Sequence, residues 1–144
     1  MTIDLFISCV MDQFYPETAK NVVKILDAAS IDVYYNPEQT CCGRYAFTSG
    51  FVDEAKEIGE KFIKDFPNDR PIVGVSASCV GYIKTRYQEL FHNTSSHLEC
   101  KRIINNIYEF TDFLVNKVNI TNFGAEFNHK VVYQDTCCSL RELG

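Results

Sequence analysis

Short apolar runs recur along this chain, and each is followed closely by cysteine. Ile3-Asp4-Leu5-Phe6-Ile7 stops at Ser8-Cys9, and Pro71-Ile72-Val73-Gly74-Val75 leads through Ser76-Ala77-Ser78 to Cys79. Ile31, Val33, Tyr34 and Tyr35 make another run, ended by Asn36-Pro37, with a short loop delivering Cys41 and Cys42. Lys130-Val131-Val132-Tyr133-Gln134-Asp135 is the fourth, and Cys137-Cys138 follow it. Runs of this length bounded by turn residues read as strands. The stretches between them keep helical steps. Ala19, Val22, Val23, Leu26 and Ala29 follow Pro16, which suits a first helical turn. Phe51, Ala55, Ile58, Phe62 and Phe66 form a second stripe, with Asp53 and Glu54 at its positive end and Pro67 closing it. Ile103, Ile107, Phe110, Leu114 and Val118 predict a further helix.

Strands alternating with helices specify an α/β fold: a three-layer, Rossmann-like parallel sheet of about four strands with helices on both faces. In such a sheet every strand's carboxyl end lies along one edge. Cys9, Cys41, Cys42 and Cys79, far apart in sequence, are thereby expected at that edge, where nearby helix N-termini favour thiolates.

A chain of 144 residues, 46% apolar and 13% aromatic, supports one domain with a real core. The N-terminus lacks a cationic start and a small-residue cleavage site, so no secretory signal is expected, and no stretch is long enough for membrane insertion. Seven cysteines without an export signal predict a reducing, cytoplasmic setting in which thiols serve ligation or catalysis. A net charge of −5 with no basic stripe argues against nucleic acid. The sequons at Asn93 and Asn119 carry no weight in that compartment.

Cys41-Cys42-Gly43 narrows the chemistry. Adjacent cysteines close only a strained ring, so the pair suits two thiolates offered to one metal centre better than a disulfide. Gly43 reads either as a turn glycine or as a point of close approach to a bound cluster. Arg44 and Arg86 are able to offset thiolate charge, but a solvated surface role is the expectation for both. His92, His97 and Cys100 lie in a polar, loop-like stretch, where solvated histidines are expected in preference to metal ligands. Gly74 is assigned helix packing only.

The long-range pattern Cys9, Cys41-Cys42-Gly43, Cys79 resembles the cysteine-rich CCG domain family, which includes a heterodisulfide reductase subunit and iron-sulfur subunits of glycolate oxidase. Phe14-Tyr15-Pro16-Glu17, Ser49-Gly50, Asp53-Glu54-Ala55-Lys56, Phe113-Leu114-Val115 and Tyr133-Gln134-Asp135-Thr136-Cys137 look most like its lactate-utilisation protein A branch. Such proteins usually carry two repeats. The resemblance implies a first repeat over residues 1–128 and the opening of a truncated second one over residues 129–144.

It also implies cofactor-binding roles for Cys9, Cys41, Cys42, Gly43 and Cys79, with Cys137 as the first metal-ligating cysteine of the second motif. In the heterodisulfide reductase branch a further cysteine completes a C-x-x-C and an unusual non-cubane cluster binds. Here that position is Tyr82, which leaves four thiolates for a 4Fe-4S type iron-sulfur cluster or a zinc ion, either of which the isolated chain is prone to lose. Cys138 stands where the lactate branch commonly has histidine. No catalytic acid or base is visible, and no glycine-rich nucleotide fingerprint follows the first strand. The implied function is an electron-transfer subunit of an oxidoreductase, with L-lactate oxidised to pyruvate. Implied partners are the other subunits of a lactate-utilisation or flavin and iron-sulfur complex. A zinc-bound or metal-free docking module, a glycolate oxidase or heterodisulfide-reductase type subunit, and a thiol-exchange enzyme using Cys41 and Cys42 are the alternatives.

Overall fold

A computed structural model describes residues 1–144. Strand β1 (Thr2–Phe6) is followed by a short helix α1 (Cys9–Phe14) and by α2 (Pro16–Ala28), and then come β2 (Asp32–Tyr34), α3 (Arg44–Thr48) and α4 (Val52–Asp65). Strand β3 (Ile72–Gly74) leads into α5 (Ala77–Leu90), and α6 (His97–Asn106) into β4 (Ile107–Glu109). A helical turn α7 (Phe110–Asp112) then continues into a π-helical segment over Phe113–Lys117, and a second π-helical segment spans Ser139–Leu143. The four strands form one all-parallel sheet in the order β2-β1-β3-β4. No helix is long and apolar enough to cross a membrane.

Alternation along β1 sends side chains to two cores. Ile3, Leu5 and Ile7 join Val22 and Leu26 of α2, Val73 of β3 and Phe113 and Leu114 on one face. Phe6 joins Phe62, Ile72, Ile83, Tyr87, Ile103 and others on the opposite face, under α4, α5 and α6. Phe6 meets Phe62 edge-on with ring centroids 4.9 Å apart, a favoured aromatic geometry. Asp4, on the Phe6 side of the alternation, is buried and held by Arg70, whose Nη2 lies 2.7 Å from Oδ1 and Nε 3.3 Å from Oδ2.

Two sequence expectations are corrected here. The stripe from Ile103 to Val118 is not one helix, because β4 interrupts it, pairing Ile72 with Ile107 and Val73 with Tyr108. The reason lies in where the apolar residues go: Ile103 and Ile107 fill the core beneath α5 and α6, whereas Phe110, Phe113, Leu114 and Val118 pack on the other face. A single helix would present them all to one side, so the chain crosses the sheet between them. The run Lys130–Asp135 is not a strand of this sheet either. Val131, Val132 and Tyr133 are 68%, 95% and 82% exposed, so strand propensity finds no partner there.

Candidate functional site

The parallel sheet delivers the cysteines as its topology requires. Cys9 opens α1 directly after β1, Cys41 and Cys42 lie in the loop between β2 and α3, and Cys79 sits in the first turn of α5 after β3. Ser8 caps α1 by accepting a hydrogen bond from the Met11 amide, which fixes the turn that aims Cys9. Gln39 anchors the other loop. Its Oε1 accepts from the Ile7 amide at 2.8 Å, and its Nε2 donates to the carbonyls of Leu5 at 3.0 Å and Asn36 at 3.1 Å. One amide side chain thus joins the end of β1 to the segment that carries Cys41.

The four thiols form a chain of neighbours. Cys9 Sγ donates to Cys41 Sγ at 3.5 Å, and Cys42 and Cys79 line the same cavity beside them. Cys41 also accepts the Gly43 amide at 3.4 Å. Donation from Cys42, with that amide assisting against burial, lowers the pKa of Cys41 to about 5. Cys79 is lowered to about 7, chiefly by the same Cys42 thiol and then by Ser76, with the Arg44 charge assisting. As donors, Cys42 and Cys9 move the other way. Donation to Cys41 raises Cys42, while burial and then its hydrogen bond to Cys41 push Cys9 up to about 11. The environment thus biases Cys41 and Cys79 toward the thiolate and Cys9 and Cys42 toward the thiol.

All four cysteines line one cavity of about 150 Å³, together with Arg44 and Ser76. Arg44 is thus not the solvated residue its type suggested. It faces the thiols and also places Nη2 3.8 Å from Cys138 Sγ. Arg86 is the surface residue expected, paired with Glu89 at 3.4 Å. Soft sulfur donors beside a cation are the chemistry that thiophilic metals and iron-sulfur clusters require. The side chains are not closed into a ready coordination shell, since no group of three or more His, Cys, Asp or Glu stands in metal-holding geometry.

Gly43 satisfies the turn reading. Its φ is +87°, and a Cβ there would lie 2.9 Å from the Ala55 carbonyl oxygen, so the loop passes close to α4. Cys100 lies apart from the four thiols, buried in the core where its thiol donates to the Tyr87 carbonyl at 3.5 Å; burial lifts its pKa to about 11. His92 and His97 pack edge to face with centroids 6.0 Å apart, and His97 opens α6 instead of a loop. Cys137 is exposed and outside the thiol cavity.

The profile of the CCG cysteine-rich domain matches residues 3–84, a span that holds all four clustered cysteines and excludes Cys100, Cys137 and Cys138. The chain belongs to the CCG cysteine-rich domain family. Among its relatives, lactate utilization protein A 2 of Bacillus cereus (strain Q1) is 35% identical over all of this chain and 60% of its own length. Lactate utilization protein A of Oceanobacillus iheyensis is 37% identical over all of this chain and 59% of its own length. The chain therefore spans about 60% of the curated relatives it matches. No solved structure matches it.

Two contributors to this CCG site escaped the sequence reading, Gln39 and Tyr87, and Arg44 was weighed there but set aside as solvated. The Tyr87 hydroxyl, fully buried, donates to the Cys42 carbonyl at 2.7 Å and ties the cysteine pair to α5. A polar contact between residues this far apart leaves no local pattern to read. Replacing Tyr87 with phenylalanine strands that carbonyl, and the expected cost is about 1–3 kcal/mol in a chemical denaturation series. Unchanged stability would show that the Cys42 carbonyl finds another donor.

Proposed function

We propose that this chain is the thiolate-bearing part of an iron-sulfur electron-transfer subunit in an oxidoreductase that uses lactate. The observation that carries the reading is the single cavity shared by Cys9, Cys41, Cys42 and Cys79, with Cys41 and Cys79 held toward thiolate. The names of the two relatives point to lactate utilisation, and L-lactate oxidation to pyruvate is the reaction we assign to the system as a whole. A bound iron-sulfur cluster supplies one-electron redox chemistry. Cys9, Cys41, Cys42 and Cys79 would hold it, Arg44 balances the negative charge of the thiolates, and Gln39 and Tyr87 fix the loop that presents Cys41 and Cys42. Electron transfer needs no acid or base at the site, and the cavity contains no carboxylate or histidine.

The other subunits of that lactate-utilisation system are the proposed partners, and the cytoplasm is the proposed location. Cys137, exposed here, is assigned to a second centre. Residues 1–128 then act as one repeat and residues 129–144 open another, a division supported by the unpaired, apolar run Val131-Val132-Tyr133. The test is anaerobic expression or reconstitution, followed by iron, sulfide and zinc analysis with paramagnetic resonance. Iron and sulfide in near-equal amounts with a resonance signal is the expected result. Zinc without sulfide would replace this reading with a structural metal site.

A further inference from the structure

Two of the cavity thiols stand close enough to join. Cys9 Sγ lies 3.5 Å from Cys41 Sγ, and a disulfide is about 2.05 Å long, so the two sulfurs need to approach by only about 1.5 Å. The backbone holds the pair at that range. Gln39 ties the segment before Cys41 to the Ile7 amide and the Leu5 carbonyl, while Ser8 caps the turn that begins with Cys9. The local structure also leaves room for the closing movement: Cys41 lies in a loop without regular structure, and Cys9 is the first residue of a six-residue helix. The remaining cysteines are less suited. Cys42 is 2% exposed and Cys79 8%, whereas Cys9 and Cys41 are half-buried and line the cavity within reach of a solute. Cys41-Cys42 and Cys137-Cys138 are adjacent pairs that close only strained rings, and Cys100 is buried in the core against the Tyr87 carbonyl.

We propose that Cys9 and Cys41 are a redox-sensitive pair that closes an intrachain disulfide when no metal is bound, with a low-molecular-weight disulfide as the oxidant. The Cys41 sulfur, which already accepts the Cys9 thiol and the Gly43 amide, loses its proton and attacks one sulfur of the small disulfide, releasing a first small thiol. Cys9 then gives up its proton and attacks the Cys41 sulfur of the mixed disulfide, releasing the second. Two protein thiols lose two electrons and two protons in all, and the small disulfide becomes two thiols. The bond itself is independent of the iron-sulfur reading above. Its consequence rests on that reading, since the bond withdraws two of the four sulfurs that would hold a centre and makes metal uptake wait on reduction. Paired in this way, both sulfurs are also kept from the irreversible sulfinic and sulfonic states.

The experiment takes the metal-free 144-residue chain, reduced and freed of reductant, and incubates it anaerobically with oxidised glutathione. Remaining thiols are alkylated, and tryptic peptides are mapped by mass spectrometry without reduction. The expected link joins residues 1–20 to residues 25–44 within a monomer, persists in Cys42→Ser and is lost in Cys41→Ser. A Cys9 that ends alkylated or capped by glutathione, or a link that survives Cys41→Ser, would overturn the pairing. Cobalt(II) titration then compares the oxidised and reduced chains. The oxidised form should bind at least about 100-fold more weakly and recover after treatment with dithiothreitol. Equal affinities would overturn the control of metal uptake. Absence of cobalt binding by the reduced chain would remove the metal reading instead, with the peptide map still deciding the disulfide.

Discussion

Truncating Arg70 to alanine is expected to lower the unfolding free energy by about 3–5 kcal/mol, with the lower end favoured because the guanidinium keeps partial contact with water. The side chain of Asp4 is only 3% exposed and that of Arg70 is 32% exposed, so the charge at risk is the carboxylate. Asp4 occupies the middle of β1, with its own amide bonded to the Pro71 carbonyl at 2.8 Å and its neighbours Ile3 and Leu5 fully in the core. Removing the guanidinium leaves the buried carboxylate without its counter-charge and both of its hydrogen-bond donors. Arg70 also stacks over the Tyr34 ring at 4.6 Å, so its loss loosens β2 at the same time. Urea denaturation of Arg70→Ala against the parent reads the effect. The pair Asp4→Leu with Arg70→Met should recover most of it, since replacing both charges by apolar groups removes the desolvation penalty along with the attraction. A loss below about 1 kcal/mol in Arg70→Ala would show that Asp4 is solvated in solution, as an exposed pair would be.

Asp4 also shows where a sequence stops being informative. Within Ile3-Asp4-Leu5-Phe6-Ile7 the apolar residues identify a buried strand, and a lone aspartate reads as an interruption. Only the fold reveals that Arg70, one residue before the Pro71 run, reaches back to it across the β1 and β3 pairing. Short-range periodicity identified β1 and β3 because each must be apolar on both faces of a parallel sheet. It misread Ile103 to Val118, where a three-residue strand between two helical pieces keeps nearly the same spacing as one helix. It misread Lys130–Asp135 in the opposite sense, since β-branched composition without a neighbouring strand makes no sheet. The convergence of Cys9, Cys41, Cys42 and Cys79 was legible because parallel topology alone sends strand ends to one edge. Arg44 was not, because nothing in its neighbours distinguishes a guanidinium facing a cavity from one facing water.

That convergence predicts a sharp contrast between two isosteric changes. Cys41→Ser and Cys100→Ser each remove one of seven thiols, yet only the first should abolish metal uptake. Cys41 is the hub of the cavity, accepting from Cys9 and the Gly43 amide, and with Cys42 beside it this environment favours its thiolate. A serine hydroxyl in their midst stays protonated at any physiological pH and offers a hard oxygen where a soft donor is needed. Partners that merely orient a ligand are worth about 10–100-fold in metal affinity, so loss of the ligand itself should cost at least about 100-fold. Cys100 has the same burial chemistry without the neighbours: its thiol meets only the Tyr87 carbonyl, and its replacement should leave affinity unchanged within about threefold while lowering stability by about 1–2 kcal/mol. Anaerobic titration of the metal-free proteins with cobalt(II), following sulfur-to-metal charge-transfer absorption, reads both affinities, and far-ultraviolet circular dichroism confirms that both variants are folded. Equal losses in the two variants would mean that metal is gathered by cysteines irrespective of position, and the shared cavity would then have no special claim to it. Retention of affinity by Cys41→Ser alone would confine the centre to Cys9, Cys42 and Cys79, three thiolates with one coordination position open.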